Sequence, residues 1–451
     1  MRAARTHSRG PGLAAAIALV AVLAAACSDD NSGDTGSDGT SASTPATEAP
    51  QPTSGDSTAP PDTGGDTSVP SGEDAGDGFA ARGPATGEPI LLGMVNTEGT
   101  PGLDFPEMRT DLDAAVEYLN AHGGFGGRPV QVEHCAAVGS PESSQACAQE
   151  LAGKDVDLVM LGLDLFPGYD TFAASGIPVV GALPILPGDY TADARFLTGG
   201  NLTTMAAMVA LAVEHYDAQT AGIISADNPG ANGSEAALIA ALEKAGVEYV
   251  SIKGGDNETD AGFQGLMRQA AAGNPDVLFS LYSDAGCIGA IRARVSLGLT
   301  VPAISTPICA SGEVIDVVGD DAVGWSFAGV GSTSDTPSAA EFEEIVTAAR
   351  GDAGVTSIGV GALAITELMT LARAANMVAE AGGEVTGQSV YDALAGEGLR
   401  TFPNDTAITC GLVPAYPSVC SFEFPIGEYI AGGEVRTVPG FESISVVPYL
   451  P

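Results

Sequence analysis

Asp113-Ala-Ala-Val-Glu-Tyr-Leu-Asn120-Ala-His-Gly-Gly-Phe-Gly-Gly127-Arg-Pro-Val130 is the stretch that decides the fold. Leu112, Ala115, Val116 and Leu119 recur at the spacing of one helix face. The pair Gly123-Gly124 stops that helix, because glycine takes left-handed backbone without steric cost. From Pro129 to His134 the residues alternate as a strand. Upstream, Ile90-Leu-Leu-Gly-Met-Val95 is a continuous apolar run, which suits a strand buried on both faces of a parallel sheet. With the loop from Asn96 to Phe105 between them, these pieces make one strand–helix–strand unit.

The same alternation continues downstream. Strands are predicted at Val156–Leu161, Pro178–Gly181, Thr220–Ser225, Glu248–Ile252, Asp276–Leu281, Val301–Ser305 and Trp325–Val330. A short helix falls before Pro178, and longer ones at Leu202–His215, Ser234–Ala245, Gly262–Ala272, Gly286–Leu297, Ala339–Ala349 and Gly359–Glu380. Strands separated by helices mean parallel sheets with right-handed crossovers, and the run occurs twice, which points to two similar α/β lobes. The tail from about Phe402 is rich in Pro and aromatics and reads as short strands returning to one lobe.

Three segments resemble the type I periplasmic substrate-binding proteins of the Leu/Ile/Val-binding kind. The first is the opening stretch, since that family commonly runs Asn-x-x-Gly-Gly-x-x-Gly-Arg from helix into its second strand. The second is Gly262-Phe263-Gln264 onward to Asn274-Pro-Asp276-Val-Leu278, and the third ends Leu297-Gly-Leu-Thr-Val-Pro302. Together they cover about 88 to 400. The resemblance implies two Rossmann-like lobes with parallel sheets, joined by three hinge crossings and closing on a ligand held between them. The crossings are expected near Gly199–Thr203, near Gly329–Ser334 and after Phe402. The domain reading is therefore lobe 1 at 87–202 and 332–402, and lobe 2 at 203–331 and 403–451 with the tail.

Ligands of parallel sheets sit beyond the carboxyl ends of the strands. The candidate ligand residues are accordingly Asn96, Thr97, Glu98, Leu163, Asp164, Ala182 and Leu183 in the first lobe. In the second they are Asp227, Asn228, Tyr282, Ser283, Asp284 and Thr306. Tyr282 stands out because an aromatic face at a strand end can wall a cleft. Amino-acid receptors of this family usually carry Ser or Thr after the third and fourth strands. Here those places read Gly162-Leu163-Asp164-Leu165-Phe166 and Gly181-Ala182-Leu183-Pro184, without a hydroxyl. No Lys or Arg occupies a candidate loop, so an anion lacks a charged partner, while Leu163, Phe166 and Leu183 supply an apolar wall. These features favour a neutral or cationic, partly apolar small molecule over a free branched-chain amino acid.

The amino terminus supplies an address. Arg2, Arg5 and Arg9 precede an apolar run from Leu13 to Ala26, the pattern of a secretory signal in 1–26. The run is shorter than the ~20 residues of a spanning helix, and no later stretch reads as a span. Leu23-Ala-Ala-Ala-Cys27 resembles a bacterial lipobox, which implies cleavage before Cys27 and a lipid on its sulfur. Residues 27–86 then form an acidic linker of Ser, Thr, Pro, Gly and Asp that cannot offset the entropy of ordering. About 60 flexible residues reach on the order of 45 Å. The expected location is the extracellular face of the cell membrane, held there by the lipid anchor alone.

Composition excludes other classes. Net charge is −40, from 17 basic and 57 acidic residues, so nucleic acid is repelled and is not a partner. Of seven cysteines, Cys27 leaves six for an oxidising exterior. These can pair in many ways or stay as buried thiols; proximity suggests Cys135–Cys147, Cys287–Cys309 and Cys410–Cys420. None has zinc-site spacing, and His122, His134 and His215 lack metal spacing, so no metal and no cofactor is expected. There is no Gly-x-Ser-x-Gly, His-Glu-x-x-His or Gly-x-x-x-x-Gly-Lys, which gives no support to an enzyme. The reading is a monomeric receptor that hands a small organic ligand (amino-acid-like, an amide, or partly apolar) to an ABC permease and its ATPase. The alternative is a sensing lipoprotein of the same fold that signals to a membrane partner.

Overall fold

Buried parallel strands need apolar side chains on both faces, and the first strand has them. The computed structural model describes residues 78–100, 104–329, 337–351, 360–432, 434–441 and 443–451. The leader, Cys27, the linker through Asp77 and the second crossing from 330 to 334 lie outside the described residues. The first sheet comprises β1 (Ile90–Thr97), β2 (Val130–Ala137), β3 (Leu158–Leu161), β4 (Val179–Gly181) and β5 (Arg195–Phe196), in the order β2-β1-β3-β4-β5. All neighbours are parallel. Leu92 and Met94 of β1 pack with α1 (Pro106–Ala121) and α10 (Gly361–Glu380), while Val95 packs on the other face with α2 (Pro141–Gly153) and α3 (Tyr169–Ser175).

The second sheet repeats this order. It holds β6 (Thr220–Ala226), β7 (Glu248–Gly254), β8 (Val277–Leu281), β9 (Ala303–Ser305) and β10 (Trp325–Ala328), ordered β7-β6-β8-β9-β10. Two strands from the tail, β12 (Ile426–Ile430) and β13 (Glu434–Thr437), extend it antiparallel beyond β10. A small pair, β11 (Glu423–Phe424) with β14 (Ile444–Ser445), completes the tail. The helices of this lobe are α4 (Gly200–Tyr216), α5 (Pro229–Ala245), α6 (Asp260–Ala270), α7 (Asp284–Ser296) and α8 (Gly312–Val318). The chain then returns to the first core through α9 (Pro337–Arg350), α10 and α11 (Gly387–Ala393).

The fold is therefore α/β with two parallel-dominated sheets of one design, as expected. The periodicity missed α2, β5, α8 and α11. Three of these are seven residues or shorter, and α2 opens on a serine-rich turn with little apolar contrast. Helix α10 is long and apolar enough to cross a membrane, which the sequence reading did not pick out. It is a core helix, 67% buried, because β1 and α1 cover it. Phe402, Ile408 and Cys410 still belong to the first core, and Val419 and Phe422 to the second.

The resemblance motifs are structural staples. Gly123, Gly124, Gly126 and Gly127 all have positive φ, and a Cβ on Gly124 would collide with the carbonyl oxygen of Arg128. Asn120 uses its amide as a strand partner: Oδ1 accepts from Val130 N at 2.7 Å and Nδ2 donates to Val130 O at 2.9 Å. Arg128 donates to the carbonyls of Glu88, Pro89 and Val385, tying strand start to helix end. Asp276 Oδ2 accepts from Gln219 N, Thr220 N and Thr220 Oγ1, all at 2.9 Å, and clips the start of β8 to β6. The six remaining cysteines join as Cys135–Cys147, Cys287–Cys309 and Cys410–Cys420.

Candidate functional site

In the order β2-β1-β3, the topology reverses between β1 and β3, and the chain leaves a crevice at their carboxyl ends. Asn96, the penultimate residue of β1, stands there only 1% exposed. Its Oδ1 accepts from Leu163 N at 3.1 Å and its Nδ2 donates to Phe105 O at 2.7 Å and Glu98 Oε1 at 3.3 Å. Thr97 N donates to Leu163 O at 3.3 Å, so Asn96, Thr97, Glu98 and Leu163 form one knot. Gly162 is required for it, since a Cβ would sit 2.6 Å from Asn96 Oδ1. Thr97 Oγ1 is buried without a partner.

Asp164 is 2% exposed. Its Oδ1 accepts from Ser144 Oγ at 2.6 Å and Phe166 N at 3.1 Å, while Oδ2 has no partner. Burial, with a smaller contribution from Asp189, pushes its carboxyl above the usual carboxylate range. Ala182 is buried, and its carbonyl accepts from both Thr198 N and Thr198 Oγ1 at 2.9 Å; Leu183 is half-buried. Beyond β3 and β4 opens a pocket of about 550 Å³ walled by Leu165, Phe166, Tyr169 and Leu186, with Asp170 and Asp189 on its rim. Asp189 holds two walls together, accepting from Tyr169 OH at 2.8 Å and from Ile185 N and Leu186 N at 2.8 and 2.7 Å.

In the second lobe the candidates are more scattered. Asp227 is exposed, its backbone N donating to Gly254 O at 2.7 Å. Asn228 caps α5, its Oδ1 accepting from Ala231 N at 2.8 Å, and its Nδ2 donates to Asp256. Ser283 precedes α7 as a half-buried N-cap, and Asp284 is that helix's first residue. Thr306 stands before the turn at Pro307–Ala310, its Oγ1 buried without a partner. Tyr282 is 3% exposed and packs edge-on to Phe263 at 5.1 Å, inside the core under α6. Its ring is a core element, because Gly254 and Gly286 leave the room it occupies.

Three participants escaped the sequence reading. Arg109, on the second turn of α1, pairs with Glu98 Oε2 and brings a cation to a site whose loops have none. Asp189, in a Pro-Gly-Asp turn, was legible only as a turn former. Glu367 of α10 is 1% exposed, with Oε1 lacking a partner. Burial pushes its carboxyl far up, against backbone hydrogen bonds at Leu161 and Ala182 that pull it down. Its place at the ends of β3 and β4 depends on a helix some 200 residues downstream, so no local signal could find it. Among the described residues, no group of three or more His, Cys, Asp or Glu is placed to hold a metal ion. The arrangement of fixed loops, orphaned buried polar atoms and an open pocket suits holding a solute.

Comparison with known proteins places these features in context. The profile of the family described as periplasmic binding protein matches residues 89–410. An ABC transporter substrate-binding protein from Sphaerobacter thermophilus is 20% identical, with TM-score 0.60, over 79% of this chain and 98% of its own. A leucine-, isoleucine-, valine-, threonine- and alanine-binding protein from Brucella ovis, in a closed conformation, is 14% identical with TM-score 0.59, over 81% and 97%. A solute binding protein of an ABC transporter from Rhodopseudomonas palustris, in complex with p-hydroxybenzoic acid, is 16% identical with TM-score 0.56, over 80% and 98%. At these identities the likeness shows the fold. No curated protein matches the chain.

Proposed function

The chain belongs to the periplasmic binding protein family, and from that premise we propose that it is the lipid-anchored, extracellular solute receptor of an ABC import system. The observation that carries this reading is the duplicated β2-β1-β3-β4-β5 order, which the family profile spans in both lobes. Each sheet ends its parallel strands in loops with orphaned buried polar atoms, Thr97 Oγ1 and Asp164 Oδ2 in one and Thr306 Oγ1 in the other. Such groups cost about 1–3 kcal/mol each when left unpaired, and a solute that pairs them recovers that cost. The ligand is a small, partly apolar organic molecule, consistent with the walls from Leu165, Phe166 and Leu186.

The family is one of solute-binding proteins, which supports a binder rather than an enzyme. The partners are an ABC permease and its ATPase, and the receptor works as a monomer tied to the membrane at Cys27, with disulfides suited to an exterior. Native mass spectrometry of freshly purified protein tests this: a small molecule is expected to travel with the folded chain and leave on denaturation. Finding no bound solute, together with no melting shift across a metabolite panel, overturns the receptor reading.

A further inference from the structure

We propose that the loop closed by Cys410–Cys420 is a strap between the two lobes, which limits their relative motion and ties it to a wall of the first-lobe pocket. Such a strap acts in the empty protein and goes beyond the receptor reading. Its roots lie in the first lobe. Cys410 and Cys420 both belong to that core, 7% and 1% exposed. Cys410 N donates to Leu394 O, just after α11, at 3.2 Å. On the returning arm, Phe196 of β5 donates its N–H to Ser418 O at 2.7 Å and accepts from Cys420 N at 2.9 Å. The arm thereby adds to the open edge of the first sheet. The tip lies on the second core. Val419 is fully buried in it, and Val413 and Tyr416 pack against it. Tyr416 OH donates to Pro451 O at 3.0 Å, beside Tyr449 and Leu450 of the same core.

Between roots and tip the loop is stiff. Pro414 and Pro417 have fixed φ, and Tyr416 N and Val419 N close turns on Val413 O and Tyr416 O at 2.9 and 3.1 Å. A hinge works by taking up backbone rotation at a few residues. A cross-linked loop held by prolines yields little of that rotation, and this one touches both cores. Its link to the pocket is a separate set of contacts. Ser418 Oγ donates to Asp189 O at 2.6 Å, and the Tyr416 ring stands edge-on to Tyr190 at 6.1 Å. Asp189 and Tyr190 belong to the turn Pro187–Thr191. The Asp189 carboxylate in turn holds the amides of Ile185 and Leu186, the second of which lines the pocket. A change of angle between the lobes therefore pulls on this turn and on the wall behind it.

The test is pulsed electron double resonance on the full chain without added solute. Spin labels are carried by non-natural residues at exposed Glu117 of α1 and exposed Lys244 of α5, so that every cysteine stays untouched. Cys410→Ser/Cys420→Ser is expected to widen the distribution of label-to-label distances about twofold. Tyr416→Ala/Ser418→Ala keeps the cross-link, and is expected to widen the distribution as well and to speed hydrogen exchange several-fold at the Ile185 and Leu186 amides. Cys135→Ser/Cys147→Ser opens a link between β2 and α2 inside the first lobe, and is expected to lower the melting temperature while leaving the distances unchanged. Unchanged distances in folded Cys410→Ser/Cys420→Ser protein, or equal widening in Cys135→Ser/Cys147→Ser, overturn the strap. If the Cys410→Ser/Cys420→Ser chain does not fold, Tyr416→Ala/Ser418→Ala decides alone, and unchanged distances there overturn it. Failure of the receptor reading, seen as no bound solute by native mass spectrometry, leaves these distances as they are.

Discussion

Asn96→Ala separates a structural clamp from a ligand contact. The side chain is 1% exposed and makes hydrogen bonds to Leu163 N, Phe105 O and Glu98 Oε1. Truncation leaves the buried Leu163 N–H without its acceptor, at about 2–3 kcal/mol. The loss at Phe105 is smaller, about 1 kcal/mol, because its carbonyl still accepts from Met108 N at 3.2 Å. Glu98 keeps Arg109 and adds little. The sum is about 3–4 kcal/mol, or roughly 6–16 °C in melting temperature at about 2–4 °C per kcal/mol. Hydrogen exchange should speed at Leu163 and Phe105-proximal amides and stay unchanged at β8. Asn96→Asp should cost at least as much as Asn96→Ala, since it sets a buried carboxylate oxygen against Phe105 O and Glu98 Oε1, both acceptors. A variant that melts within about 1 °C of the parent yet binds no solute would refute the clamp and make Asn96 a ligand contact.

Further outcomes follow from other residues. Cys27→Ala should release soluble protein that still binds its solute, read by fractionation and titration; loss of binding with the anchor would contradict the division of roles. Cys410→Ser/Cys420→Ser opens a link of sequence separation 10 and should cost about 3 kcal/mol, seen as a lower denaturant midpoint than the parent under oxidising conditions. Glu367→Gln concerns pH: the folded carboxyl sits above its unfolded value, so the parent loses stability as pH rises from about 4.3 towards the folded value. The variant lacks that loss and should melt above the parent at pH 7.5, the gap closing near pH 4. Asp276 has the opposite sign, held low by the backbone N–H of Gln219, so Asp276→Asn should remove part of the stability that the parent loses only below about pH 4.

Much of the fold was legible because burial writes itself into the chain. Ile90–Val95 is apolar throughout because α1 and α10 cover one face of β1 and α2 covers the other. The glycines after α1 were readable because Gly124 must hold positive φ against the Arg128 carbonyl. The site was less legible. Asn228 looks like a strand-end contact, yet its amide caps α5 and reaches Asp256. Tyr282 looks like a cleft wall, yet Phe263 and the space left by Gly254 draw its ring inward. Arg109 lies in α1, outside the strand-end loops, yet its cation reaches Glu98.

By itself the sequence determined the two-lobed α/β class, through hydrophobic period, glycine stops and the motifs at Asn120, Arg128 and Asp276. Those residues staple strand starts with their own side chains: Asn120 holds nearby Val130, while Arg128 reaches Val385 and Asp276 reaches Thr220, so the motif was readable as a pattern although two of its partners lie far along the chain. Only the tertiary structure decided which strand-end residues are spent on holding the loops and which remain open. That choice depends on partners brought in by other elements: Ser144 of α2 on Asp164, Glu367 of α10 beneath β3 and β4, and Ser418 of the tail on the Asp189 carbonyl. A side chain's freedom to meet a solute is what remains after such partners are counted, and no local pattern records them.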